Sequence, residues 1–493
     1  MQMAVTNILF AASEAYPLVK TGGLGDVAGS LCRALRNLNK DLRLVLPAYP
    51  MAMEVVRHKK RLVSFVQDEE SVTIWQALLP GTRVTVLLVA CDKYFDREGN
   101  PYQDDQGEDW PDNAERFGLF CRVIEGIAID HYGLGWRADV VHCNDWQTGL
   151  VPMLLAEQRQ RPATVFTIHN LGYQGLFPFT AFQNLKLPAI YWHHERLEYH
   201  KQLSFIKGGL VYADRINTVS PTYAQEIQTP KFGCGLEGLL MHRQSRLSGI
   251  LNGIDTDVWN PGTDKLISHR YNSKTLNRKL NNKLDLQRQL RLPEDPEIPL
   301  LGKVGRLVKQ KGVDLVIKAL PELLKQPMQL VVLGTGDTRF ADSLRKLAKQ
   351  WPEKLAVYIG YSEALAHRIE AGADMFLMPS RYEPCGLNQM YSQRYGTLPI
   401  VSAVGGLADT VTDPSMIKDK NEIADGFVIA NYSVKGIIEA VNRAIERYHD
   451  KPSWRQMQRA AMHKDMTWKD RAHEYLALYE QALKDSRSSA DYE

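Results

Sequence analysis

Short runs of nearly continuous apolar sequence, rich in β-branched residues, recur along the chain, each followed by a longer stretch with helical spacing. Residues 8–12 (ILFAA), 42–46 (LRLVL), 84–89 (VTVLLV), 140–142 (VVH) and 164–168 (TVFTI) make a first series. Residues 301–304 (LGKV), 330–333 (LVVL), 356–359 (AVYI) and 375–378 (MFLM) make a second. A strand that is apolar at successive positions, not alternate ones, is buried on both faces, as parallel strands are beneath crossover helices. The pattern predicts an α/β fold of doubly wound parallel sheets.

The rhythm breaks near the middle. Residues 246–261 (RLSGILNGIDTDVWNP) hold one more short strand and a turn-rich segment. Residues 274–291, basic and Asn-rich, read as a solvent-facing amphipathic helix, and Pro293, Pro296 and Pro299 then punctuate the entry to a new strand. A chain of 493 residues exceeds one ordinary core. The expectation is two doubly wound domains, 1–250 and 251–460. Residues 461–493 would form a C-terminal segment whose helix, Trp468 to Lys484, packs back on the first domain, with the last nine residues frayed.

Composition narrows the classes. A 44% hydrophobic, 24% charged chain of net charge +3 is an ordinary globular profile, and its balance gives no reason to expect nucleic acid or an anionic membrane as partner. No run of about eighteen apolar residues spans a bilayer. Residues 8–12 lack the upstream Lys or Arg of a secretory signal and meet Glu14 at once, so they read as a buried first strand. Six cysteines without C-x-x-C spacing suggest reduced thiols in a cytoplasmic protein and no zinc site.

Polar motifs cluster where runs end, which is where α/β sheets bind ligands. Lys20-Thr21-Gly22-Gly23-Leu24-Gly25-Asp26-Val27 joins the first strand to a helix and suits a phosphate approaching backbone N–H groups. The plainer reading is a tight turn that needs glycine. It matches neither G-x-x-x-x-G-K-[ST] nor G-x-G-x-x-G, so ATPase and dehydrogenase readings gain nothing. Asp145, in HCNDWQ, either accepts from sugar hydroxyls or caps the next helix. His169, in TIHNLGYQG, is a ligand contact or a satisfied structural histidine.

In the second half, Arg306 and Lys311 (GRLVKQKG) form a metal-free cation pair for a diphosphate, or a solvated basic loop. Glu383 opens the turn Glu383-Pro384-Cys385-Gly386-Leu387, where a carboxylate and the Gly386 and Leu387 amides face one ligand; the alternative is a structural salt bridge. Cys385 reads as a packing residue with no base partner to make it a nucleophile. Asp255-Thr256-Asp257 has the D-x-D form of a metal site, yet its setting after Leu251-Asn252-Gly253 reads as a turn. A six-residue echo relates Gly22–Val27 to Gly405–Thr410.

Taken together, KTGGL, FTIHNL, SPTYA, LNGID, RLxxQKG and EPCGLxQ resemble bacterial and plant glycogen/starch synthases over residues 8 to about 480. The resemblance implies a retaining glucosyltransferase of the B-type fold, two Rossmann-like domains facing a cleft. It implies ADP-glucose as donor, an α-1,4-glucan such as glycogen as acceptor, extension at the non-reducing end, and no cofactor or metal for chemistry. Carried over, Glu383, Arg306, Lys311, His169 and Asp145 are the catalytic set. Lys20, Gly23, Asp26, Asn252, Tyr361, Cys385, Gly386 and Leu387 bind substrate, with Tyr361 beside the nucleoside. Departures are Gly25 for a common Ala, Asn144 and Gln147 where some relatives carry His, Phe95 for a Tyr credited with a sugar contact, and Asn388 for a Thr. Two alternatives stay open: the same chemistry with UDP-glucose or another acceptor, and a silent glucan-binding regulator.

Overall fold

The structure, a computed structural model, describes residues 5–104, 106–419 and 422–490, with side chains to Arg487. Positions 491–493, part of the expected frayed tail, lie outside the described residues. Two compact units form: unit 1 takes the chain up to Gly253 and again from Thr467, and unit 2 is Ile254–Met466.

Unit 1 is a nine-stranded sheet. Its strands are β1 (Asn7–Ala11), β2 (Asp41–Pro47), β3 (Lys60–Gln67), β4 (Glu70–Leu78), β5 (Thr85–Ala90), β6 (Val140–Asn144) and β7 (Ala163–Ile168). A small side sheet, β8 (Leu176–Pro178), β9 (Glu198–Tyr199) and β10 (Gln202–Ser204), precedes β11 (Arg215–Thr218) and β12 (Leu247–Gly249). The main order is β12-β11-β7-β6-β1-β2-β5-β4-β3, parallel as far as β5. Every residue of β6 and β7 is buried, the physical counterpart of their unbroken apolar runs.

The β3–β4 edge is antiparallel. Its sequence, KRLVSFVQ then ESVTIWQAL, is half polar because only one face is covered, and it turns through Asp68 and Glu69 at φ 51° and 69° without glycine. Neither strand stands out in the hydrophobic pattern.

The helix Trp468–Ala490 packs on unit 1 by burying Ala472, Tyr475, Tyr479 and Ala482 on one stripe. The Tyr479 hydroxyl meets His142 Nδ1 at 2.8 Å, and Tyr475 accepts from Asn217 at 3.2 Å. The helix runs on past Lys484, and Asp485 pairs with Arg215 and Arg246, so the fraying expected from 485 does not begin there. The chain re-enters unit 1 at Thr467, later than the expected 461, because the helix Lys451–His463 spans that position and buries Trp454, Met457 and Ala461 in unit 2.

Unit 2 contains β13 (Leu300–Val304), β14 (Gln329–Gly334), β15 (Leu355–Ile359), β16 (Met375–Met378), β17 (Leu398–Ser402) and β18 (Phe427–Ile429). All run parallel in the order β15-β14-β13-β16-β17-β18, the doubly wound arrangement whose strand order reverses between β13 and β16. Among the described residues no helix is long and apolar enough to cross a membrane.

The basic helix is not solvent-facing. Lys279–Gln289 buries Lys279, Asn282, Lys283, Leu286 and Gln287. Lys279 Nζ donates to the carbonyls of Glu370 (3.2 Å) and Ala371 (2.8 Å) and to Thr397 Oγ1 (2.6 Å), satisfying carbonyls at the end of the helix Glu363–Gly372. Lys283 reaches Asp374 at 2.8 Å. Burial lowers the Lys279 ammonium to about 7. A hydrophobic-moment reading misassigns such a face because the lysines act as buried donors. Lys279→Met removes three donated bonds, Glu370 O keeping only that from Thr397 Oγ1, and is expected to lose about 2 kcal/mol or more in urea unfolding; unchanged stability would show that these bonds carry nothing.

Candidate functional site

In unit 1 the strand order reverses beside β1, with β2 on one side and β6 on the other. The loop leaving β1 is held by a residue the motifs did not flag. Glu14, 3% exposed, accepts from Thr21 N–H (2.5 Å), Thr21 Oγ1 (2.7 Å), Gly22 N–H (3.1 Å) and the Tyr102 hydroxyl (2.6 Å). A carboxylate accepting four bonds fixes the loop on which Lys20 sits. Lys20 pairs with Asp26 at 2.9 Å, so two expected site residues meet each other. The helix Gly23–Asn37 begins with no side-chain cap, leaving its first N–H groups to other partners.

Gly22 is not a turn glycine. Its φ of −149° suits any residue, and a side-chain carbon there would meet no atom of the chain within 4 Å. The fold itself does not require glycine at 22, so the plainer reading does not hold at that position. At Gly25 an added carbon would press on Lys20 Cβ and Cγ at 3.2 Å, so the departure from Ala gives the Lys20 stem room.

At the end of β6, Asp145 adopts φ 55°, ψ −178°, a strained conformation for a non-glycine residue. It makes no side-chain helix cap. Its Oδ1 accepts from His169 N–H at 2.7 Å and, more weakly, from Asn170 N–H at 3.4 Å, and its own N–H donates to Thr167 O at 3.0 Å. Oδ2 has no hydrogen-bond partner among the described residues. Burial raises this carboxyl to about 7.

His169 follows β7, and its Nε2 lies 2.9 Å from Asn144 Oδ1. Asn144 Nδ2 donates to Ala11 O at 2.9 Å, which turns the amide oxygen toward the histidine. An amide oxygen only accepts, so Nε2 carries the proton and Nδ1 is a bare acceptor. Asn144 is thus an orienting residue whose role was not legible where relatives carry His. Behind the pair, Trp146 packs edge-on to Phe117 and Phe205, and Gly175 leaves room for its ring, which a side-chain carbon would meet at 2.5 Å.

Asn252 lies at the end of unit 1. The nearby Asp255-Thr256-Asp257 is a local turn: Asp255 Oδ1 accepts from Asp257 N–H at 2.9 Å. Among the described residues no group of three or more His, Cys, Asp or Glu is placed to hold a metal.

Unit 2 brings together two loops at its switch point, 305–312 after β13 and 379–387 after β16. Lys311 Nζ reaches Glu383 Oε2 at 2.5 Å, and Ser380 Oγ donates to the same oxygen at 2.9 Å. Oε1 keeps no partner among the described residues. Lys311 and Glu383 were expected as separate contributors, a cation and a sugar-binding carboxylate, with a structural salt bridge as the alternative for Glu383; the structure makes the two an ion pair, as that alternative has it. Gln310 knits the loops through Arg381 N–H (2.8 Å) and Tyr382 O (3.3 Å). Gly312, at φ 66°, lies so close to Pro379 that a side-chain carbon would meet its carbonyl oxygen at 1.9 Å. Arg306 stands exposed after Gly305, its Nη2 3.5 Å from Gln310 Oε1.

Cys385 is buried, and Gly386 takes φ 73° before the helix Asn388–Arg394, whose N-cap is Leu387. Asn388 donates to Val304 O at 3.1 Å, tying this helix to the end of β13. Tyr361, 76% exposed after β15, bonds Glu363. Phe95 is core, edge-on to Tyr49 and Phe120.

The pair around His169 yields a test. Burial lowers its imidazolium to about 3, so the ring is neutral in the folded chain while the unfolded ring protonates near 6.5. Its stabilising contribution is complete above that value and is lost as pH falls below it. In ¹³C-histidine NMR, with His169→Gln for assignment, the His169 signal is expected to stay flat from pH 8 to 5; a midpoint above 5 would contradict the buried neutral ring.

Comparison with known proteins agrees with this architecture. The family described as starch synthase catalytic domain matches residues 7–242, and glycosyl transferases group 1 matches residues 282–463. The chain is 54% identical to the glycogen synthase of Cellvibrio japonicus over 96% of its length and 98% of the relative's. It is 54% identical to glycogen synthase 1 of Methylococcus capsulatus, covering 97% of each chain. The structure superposes on the catalytic domain of Arabidopsis thaliana starch synthase IV, bound to ADP and acarbose, with TM-score 0.88 and 31% identity over 98% and 100% of the two chains. A sucrose-phosphate synthase from Thermosynechococcus elongatus, 18% identical with TM-score 0.58 over 97% and 99%, shares the fold. The chain belongs to the glycogen synthase family of glycosyltransferases.

Proposed function

We propose that this enzyme moves glucose from ADP-glucose to the non-reducing end of an α-1,4-glucan such as glycogen, with retention of configuration. The observation that carries the reading is the Lys311–Glu383 pair at the switch point of unit 2, with exposed Arg306 on the same loop. The ADP and acarbose of the starch synthase IV structure support an adenosine diphosphate leaving group and an oligosaccharide acceptor. Six free cysteines, five of them buried, support a cytoplasmic setting.

When the bond from the anomeric carbon to the diphosphate oxygen breaks, negative charge gathers on the diphosphate. Fixed donors aimed there lower the barrier. Arg306 supplies a fork of N–H groups, Lys311 the N–H donors that Glu383 leaves unused, and Gly386 and Leu387 their amides. In unit 1, Lys20, with Gly23 and Asp26, is assigned to donor binding on the family resemblance. Glu383 Oε1 in unit 2, and Asp145 Oδ2 and His169 Nδ1 in unit 1, have no hydrogen-bond partner among the described residues, and each suits a hydroxyl donor. Tyr361 is assigned to the nucleoside, and Asn252 and Cys385 to substrate contacts. The ion pair changes the charge count: the Lys311 cation is compensated by Glu383. No side chain is assigned as covalent nucleophile.

Arg306→Ala is expected to cut kcat about a hundredfold with an unchanged melting temperature, because the side chain is exposed. Lys311→Ala should match that loss and also lower the melting temperature, since it leaves buried Glu383 without its cation. Glu383→Gln should lose turnover while keeping the turn. Wild-type kcat in any purified variant would remove that residue from the site.

Donor choice is tested with glycogen as primer, following nucleoside diphosphate release. ADP-glucose is expected to exceed UDP-glucose in kcat/KM, and activity to survive exhaustive dialysis against EDTA. Equal or reversed preference overturns the donor assignment. Loss on chelation restored by a divalent ion would overturn the metal-free clamp, and glucan binding without turnover of either donor would favour the silent regulator.

A further inference from the structure

Lys303 lies inside β13, the central strand of unit 2, with its backbone in register with Val332 of β14. It is 6% exposed in a position that a doubly covered parallel strand fills with an apolar residue. A buried lysine at such a place needs a partner. Its Nζ donates to the Lys311 carbonyl at 3.2 Å and to nothing else among the described residues.

That carbonyl has no other use. Lys311 closes the one-turn helix Lys309–Lys311, and the next helix starts from Gly312, whose carbonyl takes the first bonds from Leu315 (3.1 Å) and Val316 (3.0 Å). No backbone N–H among the described residues reaches Lys311 O. The Lys311 N–H is held by Val308 O at 3.0 Å, and Gly312 is pressed against Pro379. Residue 311 is thus fixed through its N–H, its carbonyl and its neighbour, and its side chain leaves this seat to meet Glu383.

We propose that Lys303 is a positioning residue for glucosyl transfer: from within the sheet its amino group holds the Lys311 carbonyl and so sets the Lys311 ammonium against Glu383. This rests on the assignment of Lys311 and Glu383 above. Charge has a direction here. The charged groups that act on Lys303 are Lys311, from the turn, and Glu383, from the loop after β16. Burial first, and then the Lys311 charge, lowers the Lys303 ammonium to about 7, while Glu383 opposes the shift. Above that pH the neutral amine donates without adding a cation. Below it, Lys303 becomes a second buried cation that competes with Lys311 for Glu383.

The test is Lys303→Met in the full chain, with kcat and donor KM measured from pH 6 to 9 using whichever nucleotide donor the wild type turns over. The wild type is expected to lose kcat as pH falls through about 7. Lys303→Met should lower the melting temperature by no more than the loss of its one hydrogen bond to the Lys311 carbonyl explains, because an apolar stem of similar length replaces a buried ionisable group. Its kcat should fall about tenfold, the scale of one lost hydrogen bond, and the fall of kcat near pH 7 should become shallower than in the wild type, since among the site residues the Asp145 carboxyl, also near 7, is left to titrate there. Lys303→Gln, an N–H donor that does not titrate, should show the same shallower fall, and it carries the test if the Met variant does not fold. Wild-type kcat with an unchanged pH profile in either folded variant overturns the proposal. If Lys311→Ala is itself silent, the site assignment fails instead; if Lys311→Ala is inactive and Lys303→Met is not, only the positioning role fails.

Discussion

Sealing a parallel strand on both faces removes water from its whole length, and any polar side chain placed there must find its partner inside the unit. The carboxyl end is different, because the covering helices diverge where the strand order reverses. Polar groups there are fixed by the sheet yet keep atoms free. In unit 1 this applies to the ends of β1, β6 and β7, which carry the Glu14–Lys20 loop, Asp145 and His169. In unit 2 it applies to β13 and β16, which carry Arg306, Lys311 and Glu383. Lys303 obeys the same rule from the other side: placed within the strand, it can be tolerated only by giving its N–H to the chain.

The carboxylates divide their oxygens in a way that separates support from ligand binding. Glu14 uses both, Oε1 for two hydroxyls and Oε2 for two backbone N–H groups, so it shapes a loop. Asp145 commits Oδ1 to His169 N–H, and Glu383 commits Oε2 to Lys311 and Ser380. Each of these two retains an oxygen without a partner among the described residues. Half-commitment fixes the group's direction while leaving one oxygen able to accept a further hydrogen bond, and the backbone of Asp145 is held in a sparsely populated conformation at the same place.

What the hydrophobic pattern made legible was the parallel core, because continuous apolar runs have one cheap explanation. The β3–β4 hairpin was hidden by its polar outer face and a turn without glycine. The helix Lys279–Gln289 was misread because a buried lysine that caps another helix looks, in sequence, like a solvated one. Motif turns showed where Asp145, His169, Arg306, Lys311 and Glu383 sit along the chain. They could not show that Lys311 and Glu383 meet, since that depends on β13 and β16 being neighbours although the two residues are 72 positions apart in the chain. Glu14 and Asn144 escaped for a related reason: each acts on a loop that only the folded chain brings to it.

The echo between the two Gly-Gly-Leu segments shows how little a short motif fixes by itself. Both start a helix, Gly23–Asn37 in unit 1 and Gly405–Thr410 in unit 2. At Gly22 a side-chain carbon would enter open space, so no neighbour in the fold demands glycine there. At Gly405 and Gly406 the same addition would strike the carbonyl oxygens of Glu383 at 2.0 Å and Cys385 at 2.2 Å. The second pair is therefore the floor on which the Glu383–Leu387 turn rests, and Gly406 N–H donates to Glu383 O at 3.2 Å. One sequence pattern leaves open space beside its first glycine in one unit and presses the Glu383–Leu387 turn into place in the other; only the atoms opposite each glycine tell the two uses apart.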